Sequence, residues 1–200
     1  MPDIMHRIKI HASPERVYQA LTTAEGIRNW WTRDAVLDAK IGGSGEFRFY
    51  EGQGVTKVSI DHLEPPVRVA WSTISANAPG GWAGTTIAFD LRADGDGTVL
   101  AFAHRGFAQA DEGYALVTTG WAYFLVSLQQ YLETGNGGPH PGIDFVRVIE
   151  GRRQTPDGVD CGCRGADRRK GGPRPPFPCH LPGDDQDFGI VPAKDCSASR

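Results

Sequence analysis

Residues 1–142 contain no cysteine; the chain's four, Cys161, Cys163, Cys179 and Cys196, all lie further on. This first part therefore uses neither disulfides nor thiolate chemistry and must stand on its apolar core alone. No stretch approaches the roughly 20 apolar residues of a membrane-spanning helix, so no membrane partner is expected. The opening MPDIMHRIKIHAS lacks the apolar run of a signal peptide, which predicts a cytoplasmic protein. Excess positive charge is missing as well: 21 Lys and Arg against 24 Asp and Glu leave a formal net charge of -3. With no row of cations to neutralise phosphates, nucleic acid is not an expected partner.

What is present reads as one domain over residues 1–142 with an appendage over 143–200, since 200 residues accommodate one core more readily than two. Met5 to His11 alternates, with Ile8 and Ile10 on one face, the period-2 pattern of a half-buried strand. Ser13 then caps a helix that has Pro14 at its first position and Val17, Ala20 and Leu21 at helical spacing. A second short helix is predicted from Ala24 to Trp31.

From there to Arg105, β-branched and aromatic runs are punctuated by turn residues. Strands are expected at Ala35 to Ile41, Glu46 to Glu51, Val55 to Leu63, Val67 to Trp71, Ile87 to Leu91 and Val99 to Arg105. With the first strand they make about seven, and their short connections favour an antiparallel meander. Asp111 to Glu133 then places Tyr114, Val117, Trp121, Phe124, Leu125, Leu128 and Leu132 at spacings of three, four and seven, a long amphipathic helix fit to cover the sheet. Glycines from Gly135 end it, with Pro139 beyond. After Phe145 periodicity is lost, and Gly, Pro, Arg and Asp dominate, which predicts a largely disordered tail. Its composition is also what a GC-rich coding sequence yields when read out of frame, a reading that sequencing the locus would test.

Strand, helix pair, meander and long C-terminal helix make an α+β helix-grip plan. On "SPERVYQALTT", "GIRNWW", "IGGSGEFRF", "VSIDHLEPPVRVAWS" and "GWAYFLVSLQQYLETG", the chain resembles the START-like superfamily of the birch-pollen allergen and polyketide cyclases, in its heat-shock ATPase activator-like branch. The resemblance spans about Ile8 to Gly135 and none of the tail. It implies a curved antiparallel sheet gripping one helix, with an apolar cavity between them for a small apolar or amphipathic ligand. Candidate wall residues are Trp31, Phe47, Phe49, Val58, Val69, Trp71, Phe89, Phe102, His104, Tyr114, Trp121 and Phe124. The competing expectation is that these side chains simply fill the core.

Catalytic groups are sparse. His104 shares a strand face with Phe102 and is a candidate acid or base; a lone histidine among aromatics is more often a hydrogen-bonded core residue. Asp90 and Arg92, and likewise Glu46, Arg48 and Tyr50, alternate against apolar residues and are expected to face solvent. No nucleophile elbow, paired carboxylates, phosphate loop or two-histidine metal spacing occurs in residues 1–142. In the tail, Cys161, Cys163, Cys179 and His180 are nominal zinc ligands, but the Cys-x-Cys gap is tighter than in common zinc ribbons.

The expected function is thus ligand binding without a cofactor. A cyclase- or aromatase-like enzyme is the alternative, with His104, Tyr50 or Tyr114 moving a proton. A co-chaperone-type interaction ranks third, because the eukaryotic activator carries an additional N-terminal domain. Association into a homodimer is left open.

Overall fold

The computed structural model describes residues 1–77 and 81–142, all within the unit Met1–Gln154. The tail and its nominal zinc ligands Cys161, Cys163, Cys179 and His180 lie outside the described residues.

Seven strands form one antiparallel sheet: β1 (Ile4–Ile10), β2 (Asp34–Leu37), β3 (Ser44–Phe49), β4 (Gly54–Glu64), β5 (Arg68–Ala76), β6 (Thr86–Asp94) and β7 (Gly97–Arg105), in the spatial order β1-β7-β6-β5-β4-β3-β2. β2 to β7 are a meander, and β1 closes against the last of them in a register pairing Ile4 with His104 and Ile10 with Thr98. β4 carries register shifts at Lys57/Val58 and Ile60/His62, irregularities that bend a long strand. The result is the curved sheet of a helix-grip α+β fold.

Helices α1 (Pro14–Thr22) and α2 (Ala24–Trp30) fill the connection from β1 to β2. Ser13 caps α1 by accepting from the Arg16 amide. Thr23, the C-cap of α1, also opens α2, its hydroxyl accepting from the Gly26 amide at 3.0 Å. One threonine thus ends one helix and starts the next, which is why the two are so tightly linked. The long α3 (Glu112–Thr134) is capped by Asp111, which accepts from the Tyr114 amide at 2.9 Å. Gly135 ends it at φ 82, a left-handed conformation open to glycine at no steric cost.

Three strand limits depart from the sequence expectation. The predicted strand Ala35 to Ile41 stops at Leu37, because Asp38 to Gly43 turns on itself: the Lys40 amide donates to the Asp38 carbonyl and the Gly43 amide to that of Lys40. Ile41 is left exposed. The strand expected to reach Glu51 stops at Phe49, and Tyr50 and Glu51 follow with φ of 50 and 55 in a short 3-10 turn. Val67 belongs to the turn after the cis peptide between Pro65 and Pro66, not to β5, its amide donating to the Glu64 carbonyl.

The inner sheet face is built by register. Phe89 of β6 stands opposite Val69 and Phe102, Ile87 opposite Trp71 and His104, and Leu91 opposite Leu100. Across this face lie Trp30 and Trp31 from α2 and Trp121 and Leu128 from α3, all essentially solvent-free. Trp31 packs on Phe47, Phe49, Trp71 and Trp121 at ring-centroid distances of 4.5 to 6.1 Å. Truncating an indole in such a cluster costs about 3–5 kcal/mol. The outer face carries charge, as alternation requires: Arg68 pairs with Asp90, and Glu46 with Arg48 and Lys57.

Candidate functional site

Between α3 and the β3–β4 side of the sheet the apolar layer does not close. A cavity of about 270 Å3, open to solvent, is walled by Trp31, Phe49, Trp82, Val117, Trp121 and Phe124, with Thr56 and Gly120 also on its surface. Tyr50, Gln53, Asn77 and His140 line it as well. Tyr50, Gln53 and His140 also border an adjoining polar groove that includes Arg33, Asp34 and Arg48. The void is therefore apolar within and polar along one side.

Of the wall residues expected from the sequence, Trp31, Phe49, Trp121 and Phe124 line this cavity. Phe47, Val58, Val69, Trp71, Phe89 and Phe102 do not; they are 0–1 % exposed and interlocked with one another. The sheet face they share with the liners is continuous, but the indoles of Trp30, Trp31 and Trp121 pack over it. Tyr114 also lies away from the cavity, packed edge-on against Phe107 with its hydroxyl donating to the Asp3 carbonyl at 2.9 Å.

His104 is fully buried, and both ring nitrogens are engaged. Nδ1 accepts from the Trp121 indole N–H at 2.9 Å, so the ring proton resides on Nε2 and is donated to the Thr85 hydroxyl at 2.7 Å. Thr85 in turn donates to the Trp82 carbonyl. Burial holds the imidazole far below the ordinary histidine range, at about 3. A second ring proton would point at the indole N–H. His104 is thus a neutral post that fixes Trp121 and Trp82, two walls of the cavity, and it is placed to orient them, not to exchange protons with a bound molecule.

Sequence reasoning missed Trp82 and His140. Trp82 sits in the connection between β5 and β6, edge-on to His104 at 5.0 Å and stacked on Trp121 at 5.9 Å. His140 lies beyond α3, where the chain folds back on α2: its amide donates to the Trp31 carbonyl at 2.9 Å, and its own carbonyl accepts from the Arg33 amide at 3.1 Å. Its ring lies edge-on to Phe49 and Tyr50, and Nε2 accepts from the Tyr50 amide at 3.4 Å, a long hydrogen bond. Burial lowers its pKa from the ordinary value. Among the described residues no group of His, Cys, Asp and Glu could hold a metal ion. Nor is any helix among them long and apolar enough to cross a membrane.

A curved seven-stranded sheet, a gripped C-terminal helix and an apolar cavity between them define a helix-grip protein. Residues 11–133 match the family model "Activator of Hsp90 ATPase homolog 1-like protein", and the chain belongs to that family. It is similar to the solution structure of the Aha1 dimer from Colwellia psychrerythraea, at 39% identity and TM-score 0.62 over 68% of this chain and 100% of that one. A Staphylococcus saprophyticus protein shares the fold at 22% identity and TM-score 0.57, over 68% of this chain and 95% of its own. So does CalU16 from Micromonospora echinospora, at 24% identity and TM-score 0.53, over 66% and 77%. No curated protein matches.

Proposed function

We propose that this protein binds a small apolar or amphipathic molecule in the cavity beneath α3, in a cytoplasmic setting and without a cofactor. The observation that carries the reading is an open void of about 270 Å3 walled by three indoles and two phenylalanines, beside a sheet face where Phe47, Trp71, Phe89 and Phe102 pack against one another. A ligand hiding about 300 Å2 of apolar surface gains on the order of 7 kcal/mol before entropic costs, enough for micromolar binding without a catalytic group. Native mass spectrometry of freshly purified protein is expected to show a co-purifying small molecule or, after its removal, uptake of an apolar dye. A protein that carries nothing and takes up no dye would refute the reading.

The cyclase-like alternative is weakened by His104, whose nitrogens are both occupied within the core, and by Tyr114, which lies away from the void. Residues 1–142 are assigned the binding function and 143–200 none; a chain ending at Gly142 is expected to bind the same molecule equally well. The Colwellia relative is described as a dimer, which favours self-association here, to be read by sedimentation.

A further inference from the structure

We propose that His140 is the polar recognition group of the cavity, and that its ligand carries a hydrogen-bond acceptor oxygen, a carbonyl or an ether, at the end of an apolar body. The assignment rests on the cavity-binding function proposed above and names its ligand class.

The tautomer follows from hydrogen bonding. Nε2 faces the Tyr50 backbone N–H, which can only donate, so Nε2 is the unprotonated nitrogen and the proton of the neutral ring sits on Nδ1. No described residue accepts that proton. The residue is 9 % exposed, and its neighbours Phe49 and Tyr50 present ring faces and edges to it. Nδ1 is not among the buried polar atoms left without a partner, and the ring borders both the open cavity and the groove, so this donor remains accessible. An acceptor oxygen on a bound molecule would satisfy it.

The ring is held firmly enough to discriminate. Its backbone is pinned to α2 from both sides, by the Trp31 carbonyl and the Arg33 amide. Two residues earlier, the Gly138 amide donates to Ser127 Oγ at 2.8 Å and the Gly138 carbonyl accepts from the Tyr123 hydroxyl at 2.9 Å. The other walls, Trp31, Trp82, Trp121 and Phe124, select for apolar shape. A site with a preorganised donor beside an apolar wall rejects an analogue lacking the acceptor more strongly than one differing by a methylene. His140 lies outside residues 11–133, the stretch that matches the family model.

The test uses 1-tetralone and tetralin, bicyclic probes that differ at one carbonyl, titrated into the full chain by protein-observed NMR. His140→Phe is expected to weaken tetralone about tenfold and to leave tetralin within about twofold. His140→Asn, whose amide nitrogen takes the place of Nδ1, is expected to retain most of the tetralone affinity. Equal weakening of both probes, or no change in either, would overturn the assignment. With wild-type protein alone, the carbonyl 13C resonance of bound tetralone is expected to stay near its value in water. Movement upfield towards its value in cyclohexane would overturn the assignment even where His140→Phe does not fold. Failure of both probes to bind the wild type would instead sink the cavity reading, and this assignment with it.

Discussion

The Trp121 indole N–H donates to His104 Nδ1 over 2.9 Å, which ties a wall of the cavity to the one histidine buried in the sheet face. Because an N–H occupies Nδ1, the native state cannot accept a proton there without losing that bond. In the unfolded chain the same imidazole titrates near 6.5, against about 3 in the fold. Between these values the unfolded state binds a proton that the native state refuses, so stability rises with pH. The contribution is complete above about pH 6.5 and is lost as the pH falls towards 3. Urea unfolding at pH 7, 5.5 and 4.5 should show a steep decline in the wild type. His104→Phe should be less stable at pH 7 yet lose about one proton's worth less per pH unit; parallel slopes would refute the account.

The closing segment offers a second test. A Cβ at Gly137 would lie 2.1 Å from the Asn29 carbonyl oxygen and 3.1 Å from that of Ser127, both backbone atoms of packed helices. Gly137→Ala must therefore lift the segment that carries His140. The expected cost is about 1–3 kcal/mol. Hydrogen exchange at Arg33 and His140, whose pairing across the segment would be lost, should quicken by at least about tenfold while β5 to β7 exchange as before. Unchanged protection at these two amides would show that the segment does not depend on this close approach.

Alternation, capping residues and helical spacing are local, and they set the element order, the cap residue Ser13 and the inward faces of the strands. Depth is not local. Phe47 and Phe49 follow the same period-2 rule, yet one is locked between Trp31 and Trp71 while the other reaches the void between Trp31 and Phe124. Tyr50 leaves the strand through a positive φ that no alternation announces. Trp82 and His140 sit in connections, where a residue is placed by partners far away in sequence: His104 for one, Trp31 and Arg33 for the other. A tryptophan in a glycine-rich turn and a histidine before a proline were the available signals, and neither has a periodicity to read.

Arg28 guards one edge of the sheet. Its Nε and a terminal nitrogen both donate to the Ala35 carbonyl, at 3.1 and 2.7 Å, on the edge strand β2. This fork covers a carbonyl that would otherwise be open to another strand. Arg28→Ala should cost about 1–2 kcal/mol and increase concentration-dependent association, read by light scattering. Arg28→Lys keeps the charge but not the fork, and should recover only part of both effects. Full recovery with lysine would mean that charge alone protects the edge.

Gly120 separates stability from binding. It lies within α3, where glycine is less favourable than leucine by roughly 1 kcal/mol, and it forms part of the cavity wall. A domain optimised only for stability would place a larger residue there, so the glycine is a concession to the space beside it. Gly120→Leu adds an apolar side chain at that wall while raising the helix propensity of α3. The expected result is a protein of equal or higher melting temperature that binds apolar probes at least tenfold more weakly. A stable variant with undiminished binding would place the ligand elsewhere. A variant that loses stability would show the space beside Gly120 already filled in solution, and the cavity would then be no receptacle.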